Sequence, residues 1–323
     1  MTRNIFSYIT AAVVVSLLFV SCGQGGRKAA QELKTRAFPN VTPPAMMQEQ
    51  DELLEFMAMH YWDAATEPAE GYLCDSLHMA GIPVGDIEQS IANYLYLLDM
   101  MPMAQAKKSM RNLASRVEAC ESADTSSNVF ETMEKYIDKY VFDPNSPLRN
   151  EDLYQAYTSV LSKSMHLSDV EKEKYTYLSY VCSLNAVGTK AADFTFCDSR
   201  GREHNLYDIK ADNIVLFFSN PGCEACLEII NSLKEDSLVN AKISDGSLAV
   251  VNVYIDEDIA AWRDYMPIYP DAWYNGFDPE FVIRNETLYN VRAIPSLYLL
   301  DSEKKVLLKD AVTEKLFQYL SQL

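Results

Sequence analysis

Basic residues are in short supply: 28 Lys and Arg stand against 46 Asp and Glu, a formal charge of −18 over 323 residues. Phosphate binding needs clustered Lys and Arg, so this balance argues against a nucleic-acid partner. Histidine is scarcer still. His60, His78, His166 and His204 are scattered, and none is a metal-ligand candidate on spacing. Glycine is absent between positions 86 and 187, where the only prolines are Pro102, Pro144 and Pro147. A β-domain of that length would need turn glycines, so the stretch reads as helices. There is no phosphate-binding glycine loop, no Ser-His-Asp order of a hydrolase, no internal repeat and no low-complexity tract. What is present is ordinary for a globular chain: 48% apolar and 23% charged residues exclude wholesale disorder. The length suggests two domains, each able to bury its own core.

Only one long hydrophobic run occurs, residues 5–20, led by Arg3 and followed by Ser21, Cys22 and Gly23. It is too short for a comfortable membrane span and has the shape of a secretory signal. An uncleaved membrane anchor is the other reading, and both put the rest of the chain outside the cytoplasm. Residues 18–22, Leu-Phe-Val-Ser-Cys, resemble a bacterial lipoprotein box in the relaxed form of Bacteroidetes-type lipoproteins, with Phe19 a departure from the strict pattern. The resemblance implies a signal peptide over residues 1–21, cleavage before Cys22 and lipidation of its thiol and new amino end. Gly23 replaces the acidic residue that the family pattern associates with inner-membrane retention. A periplasm-facing protein on the outer membrane is therefore expected. Residues 22–46 hold Gly23, Gly25, Gly26, Pro39, Pro43 and Pro44 without apolar periodicity and read as a tether.

Residues 47–184 read as a mainly α-helical domain. Asp86 with Gln89, and Ser168 with Glu171, have capping-box spacing. Val129, Met133, Ile137 and Val141 recur every four residues as one apolar stripe, and Leu153, Tyr157 and Val160 or Leu161 repeat the pattern. After Gly188 the texture changes. Short apolar runs at 193–197, 214–218, 248–255, 296–300 and 305–309 alternate with helix-like segments at 223–238, 259–265 and 313–323. That alternation indicates an α/β layer whose central strands are buried on both faces, with a hairpin turn at 301–304.

Seven cysteines are present, at 22, 74, 120, 182, 197, 223 and 226. Cys223-Glu224-Ala225-Cys226 follows the apolar run 214–218 through Ser-Asn-Pro-Gly and opens the next helix. Unpaired N–H groups at a helix start favour a thiolate, which makes the first sulfur nucleophilic. The second cysteine, three residues on, can resolve a mixed disulfide. Strand, CxxC, helix, strand, then Ala293-Ile294-Pro295 entering an apolar strand is the order of a thioredoxin fold. Residues 188–323 resemble the extracytoplasmic thiol-disulfide oxidoreductases of the TlpA/ResA type. The features that carry the resemblance are residues 188–196, Cys223 and Cys226, the strand end 250–256, and Ile294-Pro295-Ser296. Sixty-nine positions separate Cys226 from Pro295, and the excess fits the central insertion of that group, near 256–285.

The resemblance implies an α/β thioredoxin-like C-terminal domain behind the helical domain. It implies Cys223 as attacking thiol, Cys226 as resolving thiol, and Ile294 with a cis Pro295 shaping a substrate groove. No organic cofactor and no metal is expected, because the electrons reside on the thiols. Expected partners are protein disulfide substrates, apocytochrome c among them, and a membrane electron donor for re-reduction.

There are departures from the family pattern. Gly222 replaces the usual Trp, Ala225 the common Pro, and Phe217 the buried Asp of cytoplasmic thioredoxins. Asp256 is the nearest match to the family's strand-end carboxylate and is the candidate proton acceptor; a solvated cluster with Glu257 and Asp258 is its plain alternative. Glu224 reads as an exposed tuning charge.

Rival readings are a structural Cys223–Cys226 disulfide and a non-catalytic binding lipoprotein that uses the fold as a scaffold. Disulfide donation, the reverse reaction, uses the same residues. A zinc site lacks a second close Cys or His pair, and the positions that a peroxiredoxin motif requires are Leu216 and Asn220. Cys74, Cys120, Cys182 and Cys197 can form one or two disulfides or be buried as small apolar residues, and Cys182 with Cys197 is one candidate pair across the domain junction. Trp262, Trp273 and Tyr274 read as core in preference to a partner groove. The helical half resembles modules of undefined activity that precede thioredoxin-like domains in Bacteroidetes-type lipoproteins.

Overall fold

Amphipathic periodicity builds the first half of the chain. The computed structural model describes residues 33–68 and 70–322, so the expected signal peptide and Cys22 lie outside the described residues. Six helices follow in order: α1 (Gln50–His60), α2 (Val84–Asp99), α3 (Met103–Ala123), α4 (Val129–Ile137), α5 (Glu151–Leu161) and α6 (Asp169–Ser183). Ser168 and Glu171 form the reciprocal capping box at the start of α6. Asp86 does not cap. Helix α2 already begins behind Pro83, which leaves Asp86 in its first turn, where a negative charge suits the helix terminus. Val129, Met133, Ile137 and Val141 are all buried, and the stripe runs on through a π-helical segment at Asp138–Phe142.

Two features of this half differ from the sequence expectation. A short antiparallel hairpin, β1 (His78–Met79) and β2 (Ile82–Pro83), interrupts the helices. Residues 33–46, expected within the tether, are partly docked. The Lys34 N–H donates to the Gly71 carbonyl (3.0 Å), the Arg36 N–H donates to the Gly81 carbonyl (2.8 Å), and Phe38 packs edge-on against Trp62 with centroids 5.2 Å apart. One aromatic among glycines and prolines makes no period, which is why the docking leaves no pattern in the sequence.

The second half contains β3 (Thr195–Asp198), β4 (Glu203–Asn205), β5 (Asn213–Phe218), β6 (Leu248–Tyr254), β7 (Tyr274–Phe277), β8 (Ser296–Asp301) and β9 (Val306–Leu308). They form one sheet in the order β4-β3-β7-β6-β5-β8-β9. Strands β5, β6 and β7 are parallel to one another, and the remaining pairs are antiparallel. The helices of this half are α7 (Glu224–Glu235), α8 (Ser237–Asp245), α9 (Ile259–Tyr265), α10 (Val282–Asn285) and α11 (Thr313–Leu320). On β5, Ile214, Leu216 and Phe218 enter one core, while Val215 and Phe217 enter the other with Ile230, Leu233 and Leu316. Side chains alternate across a strand, so an unbroken apolar run is what two-sided burial requires.

Strand β7 lies inside the segment expected as an insertion. Its sequence, Tyr-Asn-Gly-Phe, carries no strand signature, and the glycine has a steric reason. A Cβ at Gly276 would run into the Phe196 ring and come within 2.8 Å of the Cys197 carbonyl oxygen. Trp262 and Trp273 are buried core residues, with Trp262 and Phe277 centroids 5.0 Å apart, whereas Tyr274 is exposed. Among the described residues no helix is long and apolar enough to cross a membrane.

Replacing Gly276 by Ala is expected to destabilise the chain by about 1–3 kcal/mol, because the contact is with backbone as well as ring. A lowered urea midpoint at unchanged slope checks this, and a wild-type midpoint would show that β3 and β7 separate freely.

Candidate active site

The site hangs from the end of β5. Beyond Phe218 the chain passes through Ser219, Asn220, Pro221 and Gly222 to Cys223, which is the N-cap of α7. Cys223 and Cys226 are joined in a disulfide with Cα atoms 5.2 Å apart. The Cys226 N–H donates to Cys223 Sγ at 3.2 Å. The same donor, one of the orphan N–H groups of a helix start, favours negative charge on that sulfur once the pair is reduced. The two sulfurs are unequally placed. Cys223 is half-buried at the rim, whereas Cys226 is 1% exposed within the α7-side core. Of the two sulfurs, Cys223 is the one nearer the surface. Gly222 has φ +72°, a left-handed conformation that most side chains adopt only with strain, which accounts for the missing Trp at this position.

The register of the sheet brings Pro295 to the same end. Ser296 pairs with Phe218, so the preceding Ile294-Pro295 peptide, which is cis, runs beside the loop leading to the cysteines. Ile294 packs against both cores, and Cys223 packs against the α7-side one. Asp256 is also at this end, just past β6. Its carboxylate accepts the Asn220 side-chain amide and pairs with the Arg284 guanidinium. Neither partner is a cysteine, so Asp256 holds the loop ahead of Cys223 and bonds directly to no sulfur.

A buried polar chain behind the loop was not legible beforehand. The Ser219 hydroxyl donates to Asn252 Oδ1 (2.6 Å), and Asn252 Nδ2 donates to Asn275 Oδ1 (3.1 Å). Asn275 Nδ2 in turn donates to the Pro270 carbonyl (2.8 Å). Asn252 stands opposite Phe217 and points to the same face. One polar residue inside the apolar run 248–255 was the only available signal. The chain links the ends of β5, β6 and β7, and satisfied buried amides of this kind fix a single geometry.

Cys74, Cys120, Cys182 and Cys197 are all unpaired, so the candidate Cys182–Cys197 bridge is not formed. Cys182 belongs to the helical core, and Cys197 sits in β3. Burial pushes the Cys182 thiol up to about 12, and the Glu151 charge adds to the effect. Burial also raises Cys120, and raises Cys197 with help from Glu203 and Asp198. Among the described residues no group of three or more His, Cys, Asp or Glu side chains is placed to hold a metal.

Residues 21–185 match a family described as a domain of unknown function, DUF5106. A thioredoxin-like protein from Bacteroides caccae is similar in structure over 88% of this chain and 98% of its own, at 34% identity and a TM-score of 0.77. The C-terminal domain of an uncharacterized protein from Bacteroides fragilis is 44% identical, covering 42% of this chain and 98% of that one, with a TM-score of 0.41. The thioredoxin domain of a thiol-disulfide oxidoreductase from Bacteroides vulgatus aligns at 21% identity over 42% of this chain and 96% of that one, with a TM-score of 0.38. No curated protein matches the chain.

A thiol that titrates near 12 is ionised in roughly one molecule in ten thousand at pH 8, and only the thiolate alkylates. Iodoacetamide added to the reduced, folded protein should therefore modify Cys223 first and leave Cys182 untouched until denaturant is added. Peptide mass mapping reads the order, and early labelling of Cys182 would contradict its burial.

Proposed function

The chain belongs to the DUF5106 family, with a thioredoxin-like α/β half behind the helical one, and on that footing we propose that it is a thiol-disulfide oxidoreductase that reduces protein disulfides. One observation carries the reading: a bonded Cys223–Cys226 pair at a helix start, rim sulfur first and buried sulfur second, beside a cis Ile294-Pro295 peptide. In the reduced protein the Cys223 thiolate attacks one sulfur of a substrate disulfide. The other substrate sulfur leaves as a thiolate and takes up a proton. Cys226, losing its own proton, then attacks Cys223 Sγ, which releases the second substrate thiol and leaves the Cys223–Cys226 disulfide. Two electrons pass to the substrate. A separate dithiol donor must return them, and for a protein outside the cytoplasm that donor is a membrane electron carrier.

Ile294 and Pro295 form the groove edge and offer backbone groups to an extended substrate segment. Asp256 is proposed to hold Asn220 and the loop ahead of Cys223, and to be the acceptor of the resolving thiol's proton. Anchoring through a lipid on Cys22, facing the periplasm from the outer membrane, belongs to the same proposal and is supported by the apolar run 5–20, the box at 18–22 and Gly23. Apocytochrome c and other oxidised envelope proteins are the proposed substrates. Apart from the thiols, no cofactor takes part in the proposed steps.

The Cys226→Ser protein is expected to accumulate mixed disulfides with its substrates, because the resolving step is gone. The Cys223→Ser protein should trap none and should reduce insulin no faster than dithiothreitol alone. Absence of trapped species in both variants would leave a scaffold. Titration against glutathione and dithiothreitol buffers reads direction: a potential below about −200 mV supports a reductase, whereas a value near −120 mV marks a disulfide donor.

A further inference from the structure

The helical half reaches the groove through a buried cluster of charges. Glu151, in the first turn of α5, is 4% exposed, yet every partner of its carboxylate belongs to the other half. Oε1 accepts from Asn290 Nδ2 (2.6 Å) and from Arg292 Nε (2.7 Å), and Oε2 pairs with Lys309 Nζ (2.8 Å). Arg292 also lies over the Phe142 ring at 4.3 Å, and Phe142 stacks on Tyr154, with centroids 4.3 Å apart. Lys309, whose side chain is 2% exposed, donates to the Cys182 and Leu184 carbonyls at the end of α6 (2.7 and 2.6 Å).

A second carboxylate holds the far side of the same segment. Ser296, the residue after Pro295, donates from its hydroxyl to Asp310 Oδ1 (2.9 Å). Asp310 Oδ2 takes Arg149 of the helical half (3.2 Å) and Arg292 (3.4 Å). Residues 290–296, with the cis peptide near their centre, are thus tied at 290 and 292 to Glu151 and at 296 to Asp310. The first tie ends on the helical half directly, and the second reaches it through Arg149.

Burial raises the Glu151 carboxyl more than Lys309 and Arg292 lower it, so keeping a charge there costs folding free energy. What the charge secures is geometry, because Asn290 and Arg292 fix the path of the loop while Lys309 ties the end of α6 to the same carboxylate. We propose that Glu151 is a positioning residue for the substrate groove: through Asn290 and Arg292 the helical domain sets the backbone path of the Ile294-Pro295 loop, and with it the affinity for protein disulfides. This rests on the oxidoreductase reading above, and gives the helical domain a part in that reaction without any contact with the reacting sulfurs.

Full-length wild type, Glu151→Gln and Asn290→Ala are compared in dithiothreitol-driven reduction of insulin, with the potential of the Cys223–Cys226 pair measured alongside. Glu151→Gln is expected to raise KM about ten-fold while kcat and the potential stay at wild-type values, the signature of lost uniform binding. Asn290→Ala, which cuts only the loop-side end of a Glu151 bond, should raise KM in the same direction and decides the matter if Glu151→Gln does not fold. Restoring the carboxylate as Glu151→Asp should recover part of the lost affinity. Wild-type KM in both Glu151→Gln and Asn290→Ala, or a potential that moves together with KM, overturns the positioning role and leaves the oxidoreductase reading intact. A wild-type protein that reduces nothing, together with a Cys226→Ser variant that traps nothing, overturns both.

Discussion

Strand β5 sends alternate side chains into two separate cores, and that double commitment dictates where chemistry can occur in this molecule. A strand fixed on both faces and hydrogen-bonded on both edges cannot shift without unpacking the domain. Its neighbours β6 and β8 inherit the constraint through their register with it. Reactive groups are thereby confined to the loops at the sheet's ends. The loop after β5, the turn after β6 and the segment before β8 converge at one end, bringing Cys223, Asp256 and Pro295 to the same rim.

Within that rim the arrangement separates two needs. The proposed reaction calls for an attacking sulfur that a bulky substrate can reach and for a resolving sulfur shielded from competing thiols. The first turn of α7 meets both, since Cys223 caps the helix at the surface while Cys226 points into the core three residues later. The polar chain from Ser219 through Asn252 to Asn275 braces the strand ends behind this turn, and Asp256 braces the loop before it. Rigid support of this kind lets a short loop hold a defined geometry.

What could be read from the sequence follows how local each signal is. The apolar runs of β5, β6 and β8, the stripe through Val129 and Ile137, the Ser168 capping box and the CxxC are patterns within a few residues, and they appear in the structure where the pattern placed them. Strand β7 escaped notice because its Asn275 and Gly276 answer to a polar chain and a close backbone approach, neither of which makes a period. The docking of Arg36 and Phe38 escaped for the same reason. The capping expectation for Asp86 failed because Pro83 starts the helix earlier. Least legible was the junction. Glu151 stands 139 positions from Asn290 and 141 from Arg292, and nothing in the spacing of one charge announces partners at that distance.

The junction also bears on how this pair of domains can have been inherited. Lys309 and Arg292 meet on one side of the interface, and the carboxylate of Glu151 comes from the other chain half. A different module spliced ahead of the same thioredoxin-like half would leave the Lys309 ammonium without its carboxylate and without the carbonyls that receive it, and would leave Arg292 with Asp310 alone. A module exchanged for the helical half would therefore have to bring an acid to that position to dock as this one does. The two halves are matched parts of one unit with two folds.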